Sequence, residues 1–241
     1  MLSKNNIKLI KSLEHKKFRI QHQLFVVEGL KSVQEFLKSD FQLEKIYMVD
    51  ANFKIDTADK IKIVTVDELK KISFLKTPHQ VLAVFKIPSV QKANSNNLIL
   101  ALDSINDPGN LGTIIRLCDW FGVEQLICSK DTVDCFNPKV VQSTMGSLTR
   151  VKLFYTDLKE FISNYKGEVF GSFMDGNNIY KIELPKKGII IMGNEANGIS
   201  AEIEKLITQK ISIPAFGNHQ ETESLNVATA TAIVLSEFKR R

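Results

Sequence analysis

Three short stretches in the C-terminal half gather the side chains best suited to chemistry. Arg116 stands beyond Asn110 in a run that begins Asp107-Pro108-Gly109-Asn110-Leu111-Gly112. Glu195 sits in Ile191-Met192-Gly193-Asn194-Glu195-Ala196-Asn197-Gly198. Ser224 and Asn226 lie in Ser224-Leu225-Asn226-Val227-Ala228, reached from Ile213-Pro214 through a polar loop. A guanidinium grips phosphate oxygens in a fixed fork, while carboxylates, amides and hydroxyls orient a reacting group and handle its proton. Each stretch puts polar, turn-forming residues at the end of an apolar run, where open α/β sheets build their sites. Each also has a plainer reading. Arg116 suits a helix-surface arginine paired with Asp119, Glu195 a turn or capping carboxylate, and Ser224 an ordinary N-cap.

Other chemistries find no support. No G-x-G-x-x-G follows the first strand of this half; Gly109 and Gly112 lack the third glycine at the required offset. No G-x-S-x-G nucleophile elbow and no Walker lysine occur. His15, His22, His79 and His219 show no metal-ligand spacing, and His219 reads as a solvated loop histidine. No metal is expected. Cys118, Cys128 and Cys135 are odd in number and form no C-x-x-C pair, so they read as reduced thiols of a cytoplasmic protein. No run of apolar residues is long enough for a membrane span, and the N-terminus does not resemble a signal peptide.

The elements that must position these residues divide at residues 89–97, a polar, proline-flanked stretch that reads as a linker. Residues 1–88 form one expected domain and 98–241 the other. The first carries 17 Lys and Arg against 10 Asp and Glu when counted through residue 96, and the remainder 15 against 17. The basic excess therefore sits at the N-terminal end, which suits contact with a polyanion, or simply a solvated lysine-rich surface. In the first domain, Ile7, Ile10 and Leu13 recur at helical spacing. Strands are expected at 24–27, 43–49, 61–66 and 81–87, and helices at 29–37 and from a cap at Asp67 to Ile72. The second domain reads as strands at 98–102, 125–128, 169–173, 189–192 and 211–213. Helices at 111–121, 137–148, 201–207 and 225–239 separate them, with Asn110 and Ser200 as caps. Strands regularly separated by helices imply a two-sided parallel sheet, so the fold class is α/β.

In this order, the three stretches resemble the motifs of the SpoU (TrmH-like) branch of the SPOUT methyltransferases, over residues 98–241. The opening Ser3-Lys4-Asn5, the Lys16-Lys17-Phe18-Arg19 run and Phe25-Val26-Val27-Glu28-Gly29 are similar to the small RNA-binding domain, itself like a ribosomal protein, that many members carry. The resemblance implies methyl transfer from S-adenosylmethionine to a ribose 2′-hydroxyl of RNA, and a deep C-terminal trefoil knot. It implies Arg116 as the central catalytic residue, with Asn110, Glu195, Ser224 and Asn226 around it. It implies that the cofactor lies against the backbone of Gly193, Ile213 and Leu225, with Gly171 and Ser172 as further contacts. RNA backbone would be held by Lys4, Lys8, Lys11, Lys16, Lys17 and Arg19. Large-subunit (23S) ribosomal RNA is expected ahead of transfer RNA, and a homodimer through the knotted domain is implied. The alternatives are a noncatalytic RNA-binding or ribosome-assembly protein on this fold, and a SPOUT base methyltransferase. The 215–223 loop is longer than in many relatives.

Overall fold

A computed structural model describes residues 1–50, 58–89, 97–217 and 224–240. The N-terminal elements are α1 (Lys4–Ser12), α2 (Lys16–His22), β1 (Leu24–Glu28), α3 (Leu30–Leu37), β2 (Leu43–Met48), β3 (Ile61–Ile63), α4 (Val66–Ile72) and β4 (Val81–Lys86). There follow β5 (Leu98–Leu102), α5 (Pro108–Trp120), β6 (Gln125–Ser129), α6 (Pro138–Thr144), β7 (Lys152–Thr156) and α7 (Leu158–Ser163). The last are β8 (Val169–Asn178), β9 (Gly188–Met192), α8 (Ala201–Glu204), β10 (Gln209–Ser212) and α9 (Val227–Lys239). These elements form two compact units, residues 1–89 with 134–149, and residues 90–133 with 150–241. Most of the expected linker lies outside the described residues.

The first unit is built on a four-stranded sheet, order β1-β4-β2-β3, in which only the β2–β3 pair is parallel. Strands β1 and β4 are near-continuous apolar runs and mostly buried, whereas β2 carries Glu44 and Lys45 and edge strand β3 ends in the exposed Ile63. Val26, Tyr47, Leu82 and Val84 pack with Ile10, Leu13, Leu69 and Ile72. Phe25, Phe36, Phe41, Phe85 and Phe136 form a cluster of rings with neighbouring centroids 4.6 to 6.4 Å apart. Phe136 belongs to the 134–149 segment, which the sequence reading left inside the second domain. The cap of α4 is Thr65, not Asp67, because Thr65 and Glu68 close a reciprocal capping box.

Of the expected RNA contacts, Arg19 fails on burial and Lys11 is partly engaged. Arg19 is 1% exposed. Its Nε and Nη2 donate to Asp134 Oδ2 at 2.9 and 2.6 Å, and its Nη1 donates to the Leu13 and Glu14 carbonyls. With four of its five N–H groups engaged inside the unit it staples the α1–α2 turn, and its burial keeps it from a phosphate. Lys11 is half-buried. Its Nζ donates to the Ser73 carbonyl at 3.1 Å and lies 4.6 Å from the Phe74 ring centroid. Lys4, Lys8, Lys16 and Lys17 are exposed.

The second unit carries a six-stranded sheet, order β10-β8-β9-β5-β6-β7, with every pair parallel. One face buries Ile99, Ala101, Ile127, Ile189 and Ile191 against Leu158 and Ile162 of α7 and Ile203 of α8. Helices α5 and α9 pack on each other, and Phe238 of α9 meets Phe170 of β8 edge-on at 5.1 Å. From β5 the chain winds outward through β6 and β7, then returns to the other side of β5 with β8, β9 and β10. The sheet therefore has a topological switch point between β5 and β9, and the first two motifs follow those two strands. The expected helix at 137–148 is shorter because Met145 takes a left-handed backbone at φ 52°, and α8 stops at Glu204. The expected knot depends on the path through residues 218–223, outside the described residues. No described helix is long and apolar enough to cross a membrane.

Candidate active site

The second unit brings the three motifs together at the C-terminal ends of its strands. Helix α5 starts at Pro108, a residue preset for a first turn, and is capped by Asp107, whose Oδ1 accepts the Asn110 N–H at 2.7 Å. Asn110 is thus one turn inside the helix instead of at its cap, and its amide is free to reach outward. Its Nδ2 donates to Glu195 Oε1 at 2.6 Å, and its Oδ1 accepts from Asn226 Nδ2 at 3.0 Å. Asn226 is the N-cap of α9, its Oδ1 accepting the N–H groups of Ala228 and Thr229. Helix N–H groups, two amides and a carboxylate therefore form one directed relay. The cap fixes which end of the Asn226 amide faces Asn110, and that in turn fixes which end of Asn110 faces Glu195.

The middle motif is held by residues the sequence reading did not single out. Asn194 Nδ2 donates to the Ser104 carbonyl at 2.6 Å, while its Oδ1 accepts from the Ala196 and Asn197 N–H groups. Asn194 and Gly198 exchange two backbone bonds of 2.9 Å, folding the chain back on itself. A Cβ on Gly193 would stand 2.3 Å from the Gly198 carbonyl carbon, so this position needs glycine for close backbone packing. Buried Asp103, at the end of β5, accepts from the Ser200 N–H at 2.8 Å. Ser104 takes a left-handed φ of 59°, which costs on the order of 1 kcal/mol. It is held there by the Asn194 bond and by its own N–H to Ser129 Oγ at 2.9 Å. An asparagine between a glycine and a glutamate at a strand end was the available signal for Asn194.

Arg116 is exposed on α5, and among the described residues its guanidinium makes no ion pair or hydrogen bond. The plainer pairing with Asp119 is not formed, since Arg150 holds that carboxylate at 2.9 to 3.0 Å. Ideal helix geometry sets Arg116 about 9 Å along the axis from Asn110 and about 120° around it. It therefore does not share a face with the relay of its own chain. Ser224 is exposed and does not cap α9, because Asn226 does. His219 lies outside the described residues.

Within the described residues no hydrogen bond draws on the main-chain groups of Gly193, Ile213 or Leu225. Three loop ends whose main-chain groups make no such bond among the described residues fit a ligand recognised through backbone, as an adenine edge and an amino-acid terminus are. Leu225 is 48% exposed and offers an apolar wall. Gly171 is buried in β8, where a Cβ would meet Ile207, Phe173 and Ile199, and Ser172 is half-buried beside it. Among the described residues no cluster of His, Cys, Asp or Glu has the makings of a metal site.

Asn226→Asp separates the cap from the relay. Aspartate caps as well as asparagine, so stability is expected to hold within about 0.5 kcal/mol. It has no amide donor for Asn110, and turning the Asn110 amide would set its oxygen against Glu195. Activity is expected to fall at least about tenfold. Equal loss of stability and activity in thermal and kinetic assays would show the relay to be only a cap.

Residues 97–236 match the SpoU rRNA Methylase family, and residues 4–83 match the MRM3-like substrate binding domain. The chain is 30% identical over 237 residues to the 23S rRNA (guanosine(2553)-2′-O)-methyltransferase RlmP of Bacillus subtilis, covering 95% of this chain and 94% of that one. A solved TrmH-family structure from Porphyromonas gingivalis superposes with a TM-score of 0.90 at 36% identity, covering 100% and 99% of the two chains. An AdoMet-bound rRNA methyltransferase from Sinorhizobium meliloti superposes with a TM-score of 0.87 at 28% identity, covering 100% and 97%.

Proposed function

The chain belongs to the SpoU rRNA methylase family, and from that premise we propose that it transfers a methyl group from S-adenosylmethionine to a ribose 2′-hydroxyl of large-subunit ribosomal RNA, in the cytoplasm. The observation that carries the reading is the relay from α9 through Asn226 and Asn110 to Glu195, which ties the ends of all three motifs into one site. Gly193, Ile213 and Leu225 would hold the cofactor through main-chain groups, and Gly171 and Ser172 add lesser contacts. When bound, S-adenosylmethionine supplies an electrophilic methyl carbon on its sulfonium.

The chain's own residues must orient the hydroxyl and lower the cost of its lost proton. A guanidinium holds its proton and is a poor proton acceptor, so Arg116 acts by gripping the neighbouring phosphate and stabilising developing negative charge on the ribose oxygen. Glu195, fixed by Asn110, and Ser224 complete the polar wall. Lys4, Lys8, Lys16 and Lys17, with the half-buried Lys11 beside them in sequence, would contact RNA backbone, which positions the substrate without reading its bases.

The separation of Arg116 from the relay of its own chain supports a homodimer in which each arginine serves the partner's site. Trp120, one helical turn beyond Arg116 on the same face, is 85% exposed, an apolar ring suited to anchoring such an interface. Trp120→Arg is expected to weaken dimerisation by at least about tenfold and to lower methyl transfer with it. A variant that stays dimeric in sedimentation would remove Trp120 from the interface.

The function is tested by labelled methyl transfer to unmodified ribosomal and transfer RNA offered separately. Label is expected in large-subunit ribosomal RNA. No label in either pool together with no cofactor binding would favour the noncatalytic, ribosome-assembly alternative.

A further inference from the structure

Strand β10 ends at Ser212, and the chain then runs through Ile213, Pro214 and Ala215 to Phe216. Phe216 is 83% exposed. Its ring stacks on Tyr180, with centroids 6.5 Å apart and planes inclined by 27°. Below the rings the scaffold is fixed. Asn178 pairs in register with Ser212, and Ser212 Oγ donates to the Gly176 carbonyl at 2.8 Å. Asn178 Oδ1 accepts the Tyr180 N–H at 3.0 Å, and Ile179 between them is completely buried. Phe216, open to water, and the partly exposed Tyr180 therefore stack on a hydrogen-bonded base, beginning three residues from the backbone proposed to hold the cofactor.

We infer that Phe216, backed by Tyr180, is a stacking platform for an unpaired nucleobase of the RNA substrate, beside the ribose that receives the methyl group. The inference rests on the ribose-methylation reading and adds residues to its site. An aromatic face stacks on any base without hydrogen-bond readout, and unpaired bases are what RNA-binding proteins engage this way. Exposed Lys181, adjacent to Tyr180, supplies a cation for the same strand's phosphate. The adenine of the cofactor is the other planar base that reaches this site. A bound small molecule is enclosed on most of its surface, however, and a ring left 83% exposed offers one open wall. Such a wall suits a base that arrives with a long strand.

The test compares wild type, Phe216→Ala, Phe216→Trp and Tyr180→Ala. Four quantities are read: affinity for an unmodified large-subunit ribosomal RNA transcript, affinity for S-adenosylmethionine, methyl transfer and thermal stability. Phe216→Ala is expected to bind the transcript about tenfold or more weakly, with cofactor affinity within about twofold and thermal stability unchanged. Phe216→Trp, which keeps a stacking face, is expected to restore binding, and Tyr180→Ala to show a smaller loss. Wild-type RNA affinity in Phe216→Ala would overturn the platform. So would a loss of cofactor affinity, which would make the ring an adenine wall, or a failure of tryptophan to rescue. If RNA binding depends on Phe216 but wild type transfers no methyl, the platform stands and the proposed function falls. If wild type methylates and Phe216→Ala matches it in both binding and rate, the reverse holds.

Discussion

Replacing Arg116 by alanine is expected to lower methyl transfer by about two to three orders of magnitude, the scale set by removing one preorganised charge-stabilising donor. Affinity for S-adenosylmethionine is expected to stay within about twofold, because the groups proposed to hold the cofactor are main-chain atoms of other loops. Folding should be untouched: Arg116 is exposed, and its guanidinium makes no ion pair or hydrogen bond among the described residues. Arg116→Lys is expected to recover only part of the loss, since an ammonium lacks the bidentate fork. If each arginine serves the partner's site, mixing Arg116→Ala chains with Asn226→Ala chains restores one intact site in every mixed dimer. A statistical mixture would then reach about a quarter of wild-type activity. No recovery would mean that Arg116 acts within its own chain, and unchanged activity of the single variant would remove it from the site.

The second large effect falls on stability. Arg19→Met leaves Asp134 without its guanidinium and the Leu13 and Glu14 carbonyls without donors. Breaking one side of a buried, hydrogen-bonded pair costs about 3–5 kcal/mol, and here the pair also anchors the segment that delivers Phe136 to the aromatic cluster. Denaturant unfolding of Arg19→Met and Asp134→Ala is the measurement. A double replacement of both residues by apolar ones is expected to be milder than the sum of the two single changes. A loss under about 1 kcal/mol in Arg19→Met would return Arg19 to the surface-contact role first expected of it.

That reversal shows what the sequence could and could not disclose. A basic run such as Lys16-Lys17-Phe18-Arg19 looks uniformly suited to phosphate, and only the helix turn decides which member faces inward. Arg19 is paired with a residue 115 positions away, and no local pattern announces a partner at that distance. The central strands were legible because β5 and β9 are continuous apolar runs buried on both faces. Edge strand β7 was missed: of its five residues only Phe154 is buried, so its apolar signal is faint. Helix α7 covers six residues, too few for helical periodicity to declare itself. The candidate site residues Asn110, Glu195 and Asn226 stand out from motif order. Their mutual bonds required the topology, because the cap at Asp107 moved Asn110 inside α5 and turned its amide toward the other two. Asn194 was overlooked because its work is to shape the turn that presents Glu195.

The most direct test is the position of the methyl group itself. Large-subunit ribosomal RNA treated with the wild-type chain and S-adenosylmethionine would be digested to nucleosides, and the modified nucleoside fragmented by mass spectrometry. The added mass is expected on the sugar fragment, with the base unmodified. Added mass on the base would contradict ribose methylation and assign the chain to the base-modifying branch of the same fold.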